Sequence, residues 1–595
     1  MSFYLSPLVD VQEFDLSTTI PAVATSIGVI ALRNTYKGPE MKPYFIETTN
    51  DLITTFGKPT NDSSCYQDML SATGFLKYSS GLYATRVMPT SASFAGIKVD
   101  EGVVTSGGTL SFTLAEMASE TANGGGDVDD FGIVDAEDNF LWIVALSRGE
   151  HGNYIRVALF DKDTYDGYVK DVETGPSLTT ATAWQPSATV GRIDTNIEDE
   201  KSFLLVVQAI DQGMVPETIS PSGSYWVTKE MFNVSIDEAA VTDMGVKRFV
   251  ETMVNSQSQY IRVSMNSAYR NNDSISIDTQ SWIQLAEGSD GEWASDEDSA
   301  CIDAYDLYQN PEEIDVNLFI DSNKGIEVKK RLDIICQDRK DAMAILDVPM
   351  TTVVGNRGNE TLDLRAYVRG EDEDSFDINS SYSAIYGNWL EVYDKWNGKY
   401  RWVPASGYVA GLYANNDSVS EPWFAPAGPN RTIITGVRRL AWNPSLSSRD
   451  VLYKNNINPI VSLAGQGKMI YGQKTLLAKE SAFNRVNVRR LFIVLEKAIS
   501  TAAKYFLFEP NDDISRLLLI NTIDPFMRDV KARRGIYDYR LVCDATNNTD
   551  VRIEGGELWC DLYIAPTRAA EFIVLNFVAT KTGAVFTELS GVVGS

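Results

Sequence analysis

The chain has 595 residues, of which 44% are apolar, and a formal charge of −29 at pH 7. That length exceeds what one hydrophobic core supports and predicts about three to five domains. The acidity excludes a general nucleic-acid binder, and no apolar run is long enough to cross a membrane.

In chain order, Val9 and Val11 alternate with Asp10 and Gln12, and Phe14 follows. A short strand with no hairpin partner beside it must pair at long range or with another chain. No basic region followed by an apolar stretch opens the sequence, so no secretory leader is expected. Residues 22–32 read as a buried strand, 64–78 as a helix and 82–88 as another strand. From 91 to 189 the texture changes: Gly107-Gly108 and Gly124 to Gly126 separate short strands near 141–146 and 154–160, which predicts a β-rich insertion. Such Gly- and Asp-rich loops belong on an exposed surface.

His151, the sole histidine, has no second histidine and no base-orienting group to share a metal or catalytic role, and is read as a loop residue. Further on, Leu204 to Ile210 alternates as a strand. Asp290, Asp296, Glu297 and Asp298 lack EF-hand spacing and are read as a solvated loop capping the next helix. Strand 314–320, helix 323–337 and strand 342–348 alternate as a partly parallel α/β architecture requires. Around Gly467-Lys468 a phosphate loop would need glycine at 462 and Ser or Thr at 469, which hold Ser462 and Met469, so that reading fails.

From Arg485 onward, Val488, Leu491, Leu495, Ala498 and Ala502 recur at helical spacing. Asn511 or Asp512 can cap a second helix, and Gly535 terminates it before an alternating strand. Strands over 557–564 and 571–580 complete a small α+β unit. Arg485, Arg489 and Arg490 open the first helix; Lys531, Arg533 and Arg534 close the second, where the helix dipole favours cations. Arg485 and Arg489 share one face at the unfavourable end, which points to an exposed basic surface. Val585 and Phe586 form an apolar, β-prone end with no local partner. Residues 441–595 hold nineteen basic and sixteen acidic side chains, which leaves 1–440 with a net −32. The five cysteines (Cys65, Cys301, Cys336, Cys543, Cys560) lack zinc-type spacing, which predicts buried reduced thiols and assembly in a reducing cytoplasm.

The strings Phe508-Glu-Pro-Asn-Asp, Arg534-Gly-Ile-Tyr-Asp-Tyr, Cys543-Asp-Ala-Thr-Asn-Asn and Ala565-Pro-Thr-Arg-Ala-Ala-Glu-Phe-Ile occur in an order that resembles the C-terminal core of contractile tail sheath proteins from long-tailed, myovirus-type bacteriophages. Lys37-Gly-Pro39, Phe56-Gly-Lys-Pro59 and Leu82 to Val87 are similar to the N-terminal portion of that family, and Val403 to Asp417 and Gly465 to Thr475 resemble its middle. Sheath proteins usually show Gly-Gly before the Ser289-Asp-Gly291 of this chain, where Glu287 occupies the first place.

The resemblance implies a multidomain α+β and α/β fold: an arm over 1–20, a middle α/β domain from 21–90 and 190–350, the β-rich outer insertion 91–189, a second α/β region 351–480, a tube-facing core 481–580 built with the N-terminal segment, and an arm over 581–595. It implies a structural subunit that polymerises helically around an inner tail tube, contracts to drive the tube through the host envelope for genome ejection, and meets baseplate and tail terminator proteins. Val9, Val11, Phe14, Val585 and Phe586 would add strands to neighbouring subunits; Arg485, Arg489, Arg490, Lys531, Arg533 and Arg534 would face the tube. Site, cofactor and partner expectations are otherwise negative: no catalytic residue, no metal, no cofactor and no direct nucleic-acid contact. The protein would sit in the virion tail after assembly in the host cytoplasm. Gly-x-Ser-x-Gly, His-Glu-x-x-His and dinucleotide fingerprints are absent from the sequence, so no enzyme is expected. A sheath of a related contractile injection system (bacteriocin or secretion type) and a surface glycan-binding protein are the alternatives.

Overall fold

The computed structural model describes residues 26–99, 141–161, 201–212, 226–242, 245–265, 282–370, 376 and 378–575. The expected arm residues Val9, Val11, Phe14, Val585 and Phe586 lie outside them, as does most of 100–200. Packing divides the chain after Tyr505 into two units.

The larger unit is organised by β1 (Gly28–Arg33), whose residues are all buried. A strand apolar on both faces belongs in the middle of a parallel sheet with helices on each side. β3 (Leu82–Val87) lies parallel on one side of it and β11 (Leu318–Ile320) parallel on the other. β12 (Met343–Asp347), β13 (Ser383–Tyr386) and β17 (Ile457–Asn458) extend the sheet, and β2 (Tyr44–Ile46) closes the far edge antiparallel. The seven strands run β17-β13-β12-β11-β1-β3-β2. Alternate residues divide between two cores. Ile30, Leu32, Met343 and Ile345 pack under α1 (Thr49–Phe56), α2 (Ser63–Leu76) and α7 (Ser406–Val419). Val29, Ala31, Ala344 and Leu346 pack under α4 (Glu297–Asp306), α5 (Ile326–Arg339), α6 (Glu360–Arg369) and α8 (Leu446–Lys454). After β13 the chain forms a smaller antiparallel sheet from β14 (Trp389–Asp394), β15 (Lys399–Pro404) and β16 (Val437–Leu440), and then a hairpin of β18 (Ile460–Leu463) and β19 (Gly467–Ile470).

Because β3 and β11 leave β1 on opposite sides, strand order reverses there, and α/β folds open a ligand crevice at such a point. Here side chains fill it. The Tyr305 hydroxyl accepts from Ala31 N (3.2 Å) and donates to Ile320 O (2.6 Å), bridging the two strands where they part. Beside it, Arg33 forks onto buried Asp68 (2.8 and 2.9 Å), whose Oδ1 also takes Lys324 Nζ at 2.7 Å. One step along, Asp321 accepts from Asp347 N (2.9 Å) and lies 3.4 Å from Lys329 Nζ, while Asp347 accepts from Ser406 N (2.8 Å).

Between β3 and β11 sits the insertion, and it is wider than 91–189. β4 (Gly96–Val99), β5 (Leu141–Ala145) and β9 (Ile261–Met265) form one sheet; β6 (Ile155–Asp161), β7 (Ser202–Ile210), β8 (Trp226–Ser235) and β10 (Ile283–Gln284) form the other. One core spanning Ala95 to Leu285 joins them, with α3 (Val250–Gln257) against β9. The sequence boundary at 189 is therefore corrected to about 286: Leu141 pairs with Met265 and Val157 with Ile283, so strands past 189 complete both sheets.

Crossing points are stapled: Ser93 and Ser289 pair, and Asp296 accepts from Thr90 N and Oγ1 (3.0 and 2.8 Å). Asp296 thus clamps the insertion's neck, and its side chain makes no capping bond to α4 as the loop reading expected. Two stretches singled out separately in sequence meet here. Asn153 exchanges side-chain bonds with Gly288 (2.7 and 2.8 Å), a Cβ on Gly288 would stand 2.5 Å from Gly149 O, and Glu287 turns the chain in the left-handed region at φ 67°. His151 lies in a buried turn, with Nε2 3.2 Å from Ser147 Oγ. Burial, then the charges of Arg86 and Lys37, hold its imidazole well below the usual histidine range, so it stays neutral.

Two outcomes follow. A Cβ at Gly407 would meet Ser71 O at 2.2 Å, because α7 and α2 cross backbone to backbone; Gly407→Val should cost about 2 kcal/mol or more in urea unfolding. Burial, then the charge of Asp321, pushes the Asp347 carboxyl up to about 7. A carboxyl raised above its unfolded value of about 3.9 binds a proton on folding, so its stabilising contribution is greatest below about pH 4 and is lost as pH climbs. For Asp347 that loss ends near pH 7. Asp347→Asn should flatten that part of the stability–pH curve.

Candidate assembly surface

The long helix α9 (Val486–Ala503) presents Val488, Leu491, Leu495, Ala498 and Ala502 as one buried stripe. Val486 and Ile493 belong to the core under α7, so α9 packs with the larger unit and the compact break falls after it, not at 480. This burial also corrects the role expected of two arginines. Arg490 holds Asp417 of α7 through both terminal nitrogens, one at 2.7 Å, with both side chains almost fully buried, and its guanidinium lies 5.1 Å from the Tyr413 ring. Arg489 lies between the Tyr382 and Phe483 rings, 4.2 Å from each centroid, and donates to Ser381 Oγ at 2.6 Å. Neither is an exposed cation. The reason is helix geometry: the apolar stripe is wide enough to carry both residues against the core, where aromatic faces and a carboxylate accept them. Arg485, at the N-cap position, is half-buried beside Tyr453 and donates to Asn484 Oδ1 (2.9 Å).

The smaller unit begins past Tyr505. Asp512 caps α10 (Asp513–Ala532), accepting from Ser515 N at 2.8 Å. Leu519, Ile523, Met527 and Val530 form its buried stripe. Lys531, Arg533 and Arg534 at its end are exposed. Lys531 pairs with Asp538 (2.8 Å) and Arg533 with Asp529 (3.0 Å), contacts of roughly 0–1 kcal/mol in water. The helix ends with Arg534, not Gly535, in the left-handed region (φ 66°), and Gly535 N reaches back to Val530 O at 2.9 Å.

β20 (Ile536–Val542) and β21 (Asp561–Pro566) follow as an antiparallel pair, and they are the whole of their sheet among the described residues. Tyr539 ties β20 to α10 through Asp524 Oδ1 (2.6 Å). The third strand expected from 571 joins no ladder over 571–575, the part that is described. Phe572, Ile573, Val574 and Leu575 are instead 71–85% exposed, an apolar run that no described residue of the unit covers.

The chain matches two domain families: the phage tail sheath protein central domain over residues 320–476 and the phage tail sheath C-terminal domain over residues 478–580. The tail sheath protein of Vibrio phage KVP40 is 40% identical over 302 residues, which are 48% of this chain and 45% of that protein. The tail sheath protein of Enterobacteria phage T4 is 28% identical over 665 aligned positions, covering 99% of this chain and 100% of that protein. Alignment thus spans less than half the length of the first relative and the whole of the second. Among solved structures, the sheath tail protein of Listeria innocua superposes with a TM-score of 0.50 at 9% identity, over 92% of this chain and 96% of that one, a likeness of fold alone.

The two sets of cations should respond differently to substitution. Asp417→Ala removes the buried carboxylate that Arg490 holds and should cost about 3–5 kcal/mol in the unfolding of the larger unit. Arg534→Gly, which relieves a left-handed residue, should stabilise the smaller unit by roughly 0.5–1 kcal/mol.

Proposed function

We propose that this chain is a member of the phage tail sheath family and the repeating structural subunit of a contractile tail, polymerising helically around an inner tube and shortening to drive that tube through a host envelope. The observation that carries the assembly step is the two-stranded sheet of β20 and β21. A hairpin of two strands is marginal in water and offers unpaired backbone groups along its outer edges. Strand addition from another chain satisfies those groups through main-chain bonds. The apolar alternation at Val9, Val11 and Phe14, and the β-prone end at Val585 and Phe586, supply segments of the right character. The exposed run Phe572 to Leu575 adds apolar surface to cover in the same unit.

On this reading the larger unit moves as a rigid body during shortening, and strand exchange keeps neighbours attached. The insertion, completed by residues 96–285 and joined through two adjacent crossings, faces outward. Lys531, Arg533 and Arg534 are the cations left to meet an acidic tube, with Arg485 at the margin and Arg489 and Arg490 assigned to the subunit's own core. Weak, repeated, solvent-exposed pairs suit a contact that must hold and then let go. Baseplate and terminator proteins would cap the ends of the polymer, which is built in the host cytoplasm.

Deleting residues 1–16 should leave a folded, soluble monomer in sedimentation and no tubes in electron micrographs; tubes of normal appearance would refute strand exchange. Reversing charge at Lys531 and Arg533 should spare self-polymerisation and abolish co-assembly on purified tubes at low salt. Sheathing that proceeds unchanged would remove these cations from the lumen.

A further inference from the structure

Cys543 is the residue after β20, and Cys560 is the residue before β21. Val542 pairs with Asp561 in the antiparallel register, so one further step along the ladder sets the two cysteines opposite one another. Opposed residues of an antiparallel pair hold their Cα atoms about 4.5–5.5 Å apart. A disulfide accepts separations of about 4.4–6.8 Å. Both thiols are free, and they stand close enough to share a hydrogen bond.

Their backbones are clamped by the intervening turn. Asn547 Nδ2 donates to Val542 O (2.8 Å) and to Asp561 Oδ2 (3.1 Å), holding the last ladder pair. Asn548 both accepts from Trp559 N and donates to Trp559 O, each at 2.8 Å, which anchors the residue before Cys560. Cys543 is buried and Cys560 only partly so.

We propose that Cys543 and Cys560 form a modification site: a paired dithiol that closes to an intrasubunit disulfide when a small disulfide oxidant, such as oxidised glutathione, reaches it. The Cys560 thiolate attacks one sulfur of the oxidant, whose S–S bond breaks to release one thiolate. The Cys543 thiolate then attacks the Cys560 sulfur and expels the second. One S–S bond forms and one breaks, two electrons pass to the oxidant, and the two thiol protons end on its two released thiols. Closure ties β20 to β21 at the base of loop 544–559.

Burial raises both thiols, and burial together with the neighbouring Cys543 takes Cys560 to about 12, so thiolate is scarce at neutral pH. The reaction should therefore be slow at pH 7 and speed up about tenfold for each pH unit toward 9, as the thiolate fraction rises.

The full chain, purified with reductant, desalted and treated with oxidised glutathione, provides the test. Thiols titrated after denaturation should fall from five to three. Trypsin without reductant should join peptides 541–552 and 553–568 at a mass about 2 Da below their sum. Cys543→Ser should trap glutathione on Cys560, and Cys560→Ser should leave Cys543 unmodified. Because the wild-type mapping needs no variant, a substitution that prevents folding does not remove the test. Retention of all five thiols at pH 9 by chain whose circular dichroism shows it folded overturns the proposal. So does a link from Cys560 to any other cysteine or to a second copy.

Discussion

The carboxylate of Asp68 holds the larger unit together at its most exposed topological weakness. It is fully buried and faces two cations, Arg33 at the end of β1 and Lys324 in the turn after β11. Burial alone would raise this carboxyl, but the two cations hold it below the usual carboxylate range. Removing the Asp68 carboxylate would take from Lys324 and Arg33 the buried anion they share, a loss of about 3–5 kcal/mol. Because Arg33 also reaches Glu297 of α4, one cluster fixes β1, α2, the β11 turn and α4 together. The crevice that a parallel sheet opens at its reversal point is thereby occupied by the protein's own side chains, and the chemistry there is that of a joint.

Much of the larger unit was legible because its signals are local. The run Gly28 to Leu32 is apolar on consecutive residues, as only a doubly covered strand is, and the spacing of Val488, Leu491 and Leu495 marks a helix without further information. What was not legible depends on pairings across long separations. Nothing in the sequence near Leu141 announces Met265 as its ladder partner, so the insertion looked shorter than it is. The arginines failed for a related reason: dipole and face arguments concern one helix in water, whereas Arg490 finds Asp417 and Arg489 finds two aromatic rings on other segments. Its neighbours Tyr382 and Phe483 carry no sequence signal that would single them out. Glu287 was marked in sequence by the missing glycine, which left the loop's conformation open; the backbone there is left-handed, at φ 67°.

Division of labour between the units follows from their packing. The larger unit buries two cores against one sheet and joins its insertion through a stapled neck, which suits a body that keeps its shape. Among its described residues the smaller unit packs one long helix, α10, beside the β20–β21 pair and leaves long apolar side chains exposed, and such a two-stranded sheet is marginal by itself. The same hairpin carries the asparagine pair that holds Cys543 and Cys560 opposite one another. Local turn chemistry thus sets the geometry at the end of the β20–β21 ladder.

The placement of β11 beside β1 also fixes an order of events in synthesis. β1 pairs with β3 soon after both leave the ribosome, but its other edge waits for Leu318 and Phe319. Throughout that interval an apolar strand edge stands open while residues 96–285, whose described strands pair among themselves, are made and can fold. Contacts of such sequence separation form slowly and expose chains to aggregation. A nascent chain built this way needs protection for its half-made sheet until Ile320 has emerged, and any pause in translation within the insertion lengthens that exposure.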